Sequence, residues 1–234
     1  MKVAFLSDVH GNEVAIEACL AAARRLNIDT IHFLGDAVGY LPGELPVLRR
    51  LEDERIACQR GNHEAMLLAD TLVGETRETL YRLALARARL RDTPRWGQIQ
   101  SWPTRVERQF GGRRFLLVHG SPSDEIFGYV HEDTDLAPFS GLPAEVIVMA
   151  NTHRPWIREI QGRLFVNTGS VGLPRDHGAL AAFAVYDTDT GALGIVRVRI
   201  DVAEIARRYG NDIAPEIAKC FARRAEQPVG EIVA

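Results

Sequence analysis

The sequence VAFLSDVHGN at residues 3–12 is the stretch that decides how this chain folds. Its first four residues are apolar, and Ser7 and Asp8 mark the point where a buried strand opens into a loop. Apolar residues at helical spacing follow over residues 13–26. This order predicts a strand, a loop with carboxylate and imidazole side chains, and a helix packed on the resulting sheet.

The same order recurs in the next fifty residues. Strands predicted at 30–34 and 55–59 end at Gly35-Asp36 and at Gly61-Asn62-His63, with a helical segment at 46–51 between them. A βαβαβ order predicts parallel strands joined by right-handed crossovers. Because such sheets bind ligands at the carboxyl ends of their strands, we expect the polar loops to meet at one edge.

The second half of the sequence is typical of hairpins. The predicted hairpins pair 105–110 with 113–118, 157–160 with 163–166, and 181–186 with 192–200, and a further strand covers 146–149. Helices are predicted at 76–91 and at 202–225, the latter broken near Gly210, whereas 94–103 is predicted to be irregular. The expected fold class is α/β, as a four-layer α/β/β/α sandwich of two mixed β-sheets flanked by helices.

The length of 234 residues favours one domain over residues 1–234. Within it we expect a lid-like helical segment near 66–104 and a C-terminal helical segment near 202–225.

The composition excludes several classes of function. A net charge of −3 gives no electrostatic case for a nucleic-acid or membrane surface. The N-terminal apolar run is too short for a signal peptide, and no later run approaches a membrane span. Cys19, Cys58 and Cys220 form no CxxC pair and are expected to be reduced thiols, which predicts a cytoplasmic protein.

Five short polar stretches carry the chemistry. Each follows a predicted strand, and they are Asp8-Val9-His10, Gly35-Asp36, Gly61-Asn62-His63-Glu64, His119-Gly120 and Asn151-Thr152-His153. Any one of them is common as a turn, but turns alone give no reason for aspartate, asparagine and histidine to recur at successive strand ends. Oxygen and imidazole ligands together suit divalent transition metals.

The series resembles the calcineurin-like metallophosphoesterase superfamily, whose pattern is DxH, GD, GNH(D/E), H and GHxH. More closely, residues 7–12, 35–40 and 167–176 resemble its small bacterial phosphodiesterase branch. The resemblance runs from residue 3 to about residue 186 and implies hydrolysis of a phosphate ester by in-line attack of metal-bound hydroxide. It also implies two divalent transition metals (Mn, Fe, Zn or Ni) and a small phosphate ester or a nucleotide as substrate.

The resemblance assigns roles to seven positions. The implied ligands are Asp8, His10 and His153 for one ion and Asn62 and His119 for the other, with Asp36 bridging both. His63 is the implied catalytic residue, which stabilises the transition state or protonates the leaving alkoxide.

One position departs from the family pattern. Where GHxH is expected the chain has Ala150-Asn151-Thr152-His153, so an amide replaces one imidazole and Asn151 is at best a weak ligand for the second ion. One hypothesis is a phosphoesterase, most simply a phosphodiesterase, with a weakened second metal site. The alternative is an impaired phosphoesterase fold that acts as a phosphate-ligand sensor or an interaction module. An engineered His→Asn trap is a third possibility, against which Ala150 argues. We favour the hydrolase because the other positions are intact.

Three further residues are candidates for substrate binding: Asn12, Tyr40 and Arg175. The competing structural roles are a turn for Asn12, packing for Tyr40 and a salt bridge to Asp176 for Arg175. The arginines between residues 77 and 91 could flank the cleft in a lid, although a solvated helix face explains them more simply.

Overall fold

The computed structural model describes residues 1–69 and 75–233. Its strands are β1 (Lys2–Leu6), β2 (Thr30–Phe33), β3 (Ala57–Cys58), β4 (Arg105–Phe110), β5 (Arg113–Val118), β6 (Val146–Met149), β7 (Trp156–Ile160), β8 (Arg163–Asn167), β9 (Leu180–Asp187), β10 (Leu193–Arg199) and β11 (Glu231–Val233). Its α-helices are α1 (Glu13–Arg25), α2 (Glu44–Asp53), α3 (Asn62–Leu68), α4 (Glu75–Tyr81), α5 (Leu83–Leu90), α6 (Pro94–Ser101), α7 (Val202–Tyr209) and α8 (Pro215–Phe221), with a 3-10 turn at Ala137–Phe139.

The strands form two mixed sheets, as predicted. One has the order β11-β10-β9-β1-β2-β3, in which β1, β2 and β3 are parallel and β9 is antiparallel to β1. The other has the order β4-β5-β6-β8-β7, in which β5, β6 and β8 are parallel. The predicted βαβαβ unit and the three hairpins are confirmed.

Strand β1 lies between two apolar layers, which explains its unbroken apolar sequence. Val3 and Phe5 pack against side chains of the second sheet, such as Phe115. Ala4 and Leu6 face the opposite way and pack with the helices. The outer face of the second sheet packs against the segment around the 3-10 turn.

The predicted boundaries were wrong in several places. The segment 94–103 forms helix α6, because Pro94 follows an extended Thr93 and supplies the fixed φ of a first helical residue. The helix predicted at 76–91 is two helices, separated at Arg82 by a φ of 58°. The C-terminal helix is indeed broken, into α7 and α8, and the short edge strand β11 was not predicted. The predicted lid-like segment includes residues 70–74, which lie outside the described residues.

The polar loops meet at one edge of the sandwich. Asp8 N–H donates to Gly35 O at 2.9 Å, which joins the loops after β1 and β2. In the second sheet, Ala150 N–H donates to His119 O at 2.9 Å and joins the loops after β5 and β6. Within the part of the chain that is described, no helix has the length and apolar character needed to cross a membrane.

Candidate metal centre

Most of the residues predicted to bind metal lie on strained loops that follow the strands, whereas Asn62 begins α3 and His119 directly follows β5. Those with a left-handed φ are Asp8 (53°), His10 (50°), Asp36 (62°), Asn151 (66°) and His153 (59°). Such a conformation costs a non-glycine residue about 1–3 kcal/mol and persists only where the surrounding structure imposes it. Backbone hydrogen bonds between loops impose it here, for example from His10 N–H to Asp36 O at 2.9 Å.

Asp8, His10 and His153 form one group of possible ligands, and all three are buried. His153 Nε2 lies 3.3 Å from Asp8 Oδ1 and 3.1 Å from His10 Nε2. The other oxygen of Asp8, Oδ2, accepts a hydrogen bond from Ser7 Oγ at 2.5 Å, whereas Oδ1 is buried without a hydrogen-bond partner. One carboxylate oxygen and two imidazole nitrogens therefore converge on a single point.

Asp36 lies between this group and a second one. Its Oδ2 is 3.6 Å from His10 Nε2 and 3.5 Å from His119 Nε2. His119 Nε2 is also 3.0 Å from Asn62 Oδ1. The structure thus brings together the six residues that the sequence singled out most strongly, with Asp36 in the bridging position.

The histidines of both groups are oriented by backbone carbonyls. Their Nδ1 atoms lie at hydrogen-bonding distance from distant carbonyls, namely Val38 O for His10 (3.0 Å), Leu34 O for His119 (2.9 Å) and Leu173 O for His153 (2.7 Å). A carbonyl can only accept, so each Nδ1 carries the hydrogen and each neutral ring turns an Nε2 lone pair inward.

This arrangement fits divalent cations. In the neutral rings, the lone pairs of His10 and His153 face each other at 3.1 Å with no proton between them. Opposed acceptors repel unless a cation lies near both. The unpartnered Asp8 Oδ1 adds a negative charge at the same place. Imidazole with carboxylate and amide oxygens is a donor set that divalent transition metals accept.

The electrostatics of the cluster favour ionised carboxylates. Burial raises the pKa of Asp8, but His153 more than reverses this and leaves the pKa below its ordinary value. Burial also opposes ionisation of Asp36, yet His119 and His63 hold its pKa far below the usual range. Burial lowers the pKa of His119, and Asp36 outweighs this and raises it to about 9. A cation bound at His119 Nε2 would therefore displace a proton.

His63 lies at the side of the cluster within an aromatic enclosure. Its Nε2 is 4.0 Å from Asp36 Oδ2, so that nitrogen faces the cluster. Its ring centroid is 4.9 Å from that of Tyr40 and 4.6 Å from that of Tyr81. A Cβ at Gly39 would lie 2.2 Å from His63 Nδ1, so only glycine leaves room for the ring there. Burial lowers the pKa of His63 to about 4 despite Asp36, which favours the neutral imidazole.

Glu64 holds the loop that carries Asp36. The carboxylate is fully buried and accepts backbone N–H groups of Asp36 (2.7 Å), Ala37 (2.7 Å), Val38 (3.3 Å) and Gly61 (2.8 Å). Burial and Asp36 raise its pKa to about 7. Glu64 lies in one of the five polar stretches, but no role was predicted for it from the sequence. Its position three residues after Gly61, at the start of α3, was the available signal.

Asn151 lies beside the cluster, and its amide has a different partner from the one expected. Its backbone N–H points at Asp8 Oδ2 at 3.3 Å, which places the residue at the centre. Its side-chain Nδ2 donates to Gly128 O at 3.0 Å. The amide nitrogen is therefore engaged by the loop that follows His119.

The three substrate-binding candidates have different surroundings. Asn12 is buried, and its amide caps α1 at Ala15 N–H (3.1 Å) and donates to Gly172 O (2.7 Å), which is the structural alternative. Tyr40 packs on His10 and His63, and its hydroxyl accepts from Arg175 Nη2 at 3.3 Å. The salt bridge between Arg175 and Asp176, which was the structural alternative for Arg175, was wrong, because Asp176 pairs with Arg197 at 2.6 Å instead.

The arginines between residues 77 and 91 are not simply a solvated face. Arg82 donates to Asp212 Oδ1 at 3.0 Å, Arg87 donates to Leu67 O at 2.9 Å, and Arg89 contacts Glu44 at 3.1 Å. These contacts hold α5 against neighbouring elements.

Comparison with known proteins decides the family. The model of the calcineurin-like phosphoesterase superfamily domain matches residues 1–191. The chain belongs to the calcineurin-like phosphoesterase superfamily. It is therefore a hydrolase of phosphoric esters, and the resemblance seen in the sequence is confirmed.

Relatives of this phosphoesterase span most of its length. An uncharacterized protein from Methanocaldococcus jannaschii is 24% identical over 230 residues, covering 92% of this chain and 94% of that protein. The crystal structure of a metallophosphoesterase from Sphaerobacter thermophilus superposes with a TM-score of 0.78 at 24% identity, covering 95% of this chain and 98% of that one. An archaeal phosphodiesterase has a TM-score of 0.51 at 17% identity, covering 85% and 100%. At these identities the structures support the shared fold.

Two tyrosines of this phosphoesterase site were missed by sequence analysis. Tyr81 packs on His63, and Tyr129 lies on the loop that Asn151 holds. Neither residue belongs to a motif or to a periodic pattern. Only their tertiary placement makes them candidates.

Proposed function

We propose that this protein is a phosphodiesterase with a dinuclear metal site. The observation that carries the proposal is the set of inward-facing acceptors that converge on Asp36 from two sides. Asp8, His10 and His153 would hold one divalent cation, Asn62 and His119 the other, and Asp36 both. Bound there, such cations supply Lewis acidity toward a phosphoryl oxygen and lower the pKa of water.

The chain's own residues would orient the ester and donate a hydrogen bond to it. His63 faces the cluster through Nε2, and its low pKa favours a neutral ring that offers an N–H to an ester oxygen. This hydrogen bond would stabilise negative charge on the oxygen that departs. Tyr40 and Tyr81 both pack against the ring and against each other, and so fix its direction.

A diester suits this entrance better than a monoester. Tyr40 and Tyr81 pack around His63 at the edge of the cluster, and Arg175 contacts the Tyr40 hydroxyl there. These aromatic surroundings accommodate the second organic substituent that a diester has and a monoester lacks. The archaeal phosphodiesterase that shares the fold is consistent with this choice.

The experiment compares bis(p-nitrophenyl) phosphate with p-nitrophenyl phosphate, using protein loaded with Mn²⁺, Ni²⁺, Fe²⁺ or Zn²⁺. We expect faster turnover of the diester and a fall in kcat of roughly 10²–10⁴-fold in His63→Ala, with metal content unchanged. His177→Ala is the matched control, because His177 lies outside both ligand groups. Absence of turnover with every metal contradicts the proposal, and a preference for the monoester contradicts its diester part.

One observation favours a second function, a phosphate-ligand sensor. Asn151 gives its amide N–H to a loop carbonyl instead of placing an imidazole at the second ion. Family membership favours the hydrolase. Tight phosphate-ester binding without hydrolysis in the same assay would favour the sensor.

A further inference from the structure

The loop after β5 presents two exposed aromatic side chains next to the metal centre. Phe127 is 51% exposed and Tyr129 is 52% exposed, in a fold whose other aromatic rings are mostly enclosed. Large apolar groups exposed on an ordered loop beside a concave site are typical of recognition surfaces.

The loop is held firmly by its own hydrogen bonds. Asp124 Oδ1 accepts from Phe127 N–H at 2.9 Å, and Asp124 O accepts from Gly128 N–H at 3.2 Å. A Cβ on Gly128 would lie 2.3 Å from Ser121 Oγ, so the close approach of these segments requires glycine. A ring carried on such a loop is preorganised and loses little entropy when a ligand binds.

Asn151 connects this loop to the metal centre. Its Nδ2 donates to the carbonyl of Gly128 at 3.0 Å, while its backbone N–H reaches Asp8 Oδ2 at 3.3 Å. The peptide unit immediately before Tyr129 is therefore fixed relative to the cluster. The asparagine at position 151, where the family pattern has histidine, therefore supplies a hydrogen-bond donor for this loop.

Tyr129 lies close to the site, because the carbonyl of the residue before it, Gly128, accepts a hydrogen bond from Asn151 Nδ2 at 3.0 Å. Its ring is stacked on His131, with centroids 6.2 Å apart and planes inclined by 16°. His131 therefore lies against one face of the Tyr129 ring, and Tyr129 remains half exposed.

A groove extends from this stacked pair. It measures about 820 Å³ and is lined by His131, Asp133, Arg154 and Asp176, among others. Arg175, which precedes the lining residue Asp176, donates its backbone N–H to His153 O at 3.1 Å, and this bond joins the groove to the loop of the cluster. A volume of this size lies within the roughly 300–1,000 Å³ typical of sites for small organic ligands.

We infer that Tyr129, backed by His131, is a specificity-determining platform on which a flat aromatic group of the substrate stacks, most naturally a nucleobase. This inference rests on the proposed function, because it places the phosphate at the cluster around Asp36 and the base beside the groove. Stacking depends on the aromatic face and not on the phenol hydroxyl.

The test measures binding by calorimetry, with Mn²⁺-loaded protein and two ligands that share a phosphate. Adenosine 5′-monophosphate carries the base, and ribose 5-phosphate does not. We expect wild-type protein to bind the nucleotide about 5- to 150-fold more tightly, the range that one stacked base provides. Tyr129→Ala should bring this ratio close to one without weakening ribose 5-phosphate, and Tyr129→Phe should keep it.

Phe127→Ala is the matched control, because Phe127 is an equally exposed ring on the same loop. It should keep the wild-type ratio. The inference is overturned if wild-type protein binds both ligands with equal affinity, or binds neither at millimolar concentration. It is also overturned if Tyr129→Ala leaves the ratio unchanged, or if Phe127→Ala reduces it equally. A protein that prefers the nucleotide yet hydrolyses no ester retains this inference and loses the proposed function.

Discussion

Replacement of Glu64 by glutamine tests how the bridging carboxylate is held in place. The two oxygens of Glu64 accept four backbone N–H groups, at 2.7, 2.7, 2.8 and 3.3 Å. Glutamine keeps one oxygen, which can still serve Ala37 and Val38. Its NH₂ group would face the N–H groups of Asp36 and Gly61, and these two donors would lose their acceptor.

The magnitude follows from those two donors. A buried donor left unsatisfied costs about 1–3 kcal/mol, so the pair costs about 2–6 kcal/mol. Removing a buried negative charge next to Asp36 offsets part of this, because the same proximity raises the pKa of Glu64 to about 7. We therefore expect a loss of about 2–4 kcal/mol in the free energy of unfolding.

The assay is urea unfolding of metal-free protein at pH 8, where wild-type Glu64 is ionised. Glu44→Gln is the control, since Glu44 is also buried but accepts a hydrogen bond from a side chain, that of Arg89, at 3.1 Å. The glutamine oxygen can still accept that hydrogen bond. We expect the control to lose less than about 1 kcal/mol. If Glu64→Gln unfolds within 0.5 kcal/mol of wild type, or no more easily than the control, the argument about the loop is refuted.

Three further predictions concern other parts of the molecule. Asn151→His should raise the affinity for the second ion at least about 10-fold, because imidazole replaces a weaker donor, and metal analysis after dialysis that finds no gain would contradict this. Burial lowers the pKa of His32 from 6.5 to about 4, so unfolding takes up a proton and stability falls as the pH drops from about 6.5 to about 4. His32→Leu should remove roughly 1–2 kcal/mol of that dependence, allowing for the ring's partial hydration, and urea midpoints that keep the wild-type slope would count against it. Asp176→Asn should cost about 3–5 kcal/mol of unfolding free energy, since it leaves Arg197 buried without its counter-charge. Adding Arg197→Met should recover part of the loss. A double variant no more stable than the single one in urea unfolding would contradict the explanation.

The sequence predicted much of the fold because the decisive signals are local. Apolar runs that end in polar turns mark the parallel strands, and alternation across a short Gly-Gly or Gln-Gly turn marks the hairpins. Boundaries failed where the deciding interaction is not local. Helix α6 is an example, because its Ile99 packs in the core with residues far away in the chain.

Pairing of charged residues shows the same limit. Arg175 and Asp176 are neighbours in sequence, which suggested an ion pair. In the structure Asp176 binds Arg197, which is 21 residues away, and Arg175 donates to Tyr40. Arg175 and Asp176 lie in a bend, where the side chains of adjacent residues can point in different directions, so nearness in sequence does not predict contact.

By itself, the sequence determined the family, the order of strands and the ligand types at the strand ends, because each is encoded within a few consecutive residues. Only the tertiary structure decided how those ligands face one another. The carbonyl that orients His119 belongs to Leu34, 85 residues away, and Asn151 meets Gly128 across another loop. Hydrogen bonds between distant loops fix side-chain direction, and direction determines whether a polar residue binds a metal, holds a loop or faces a substrate.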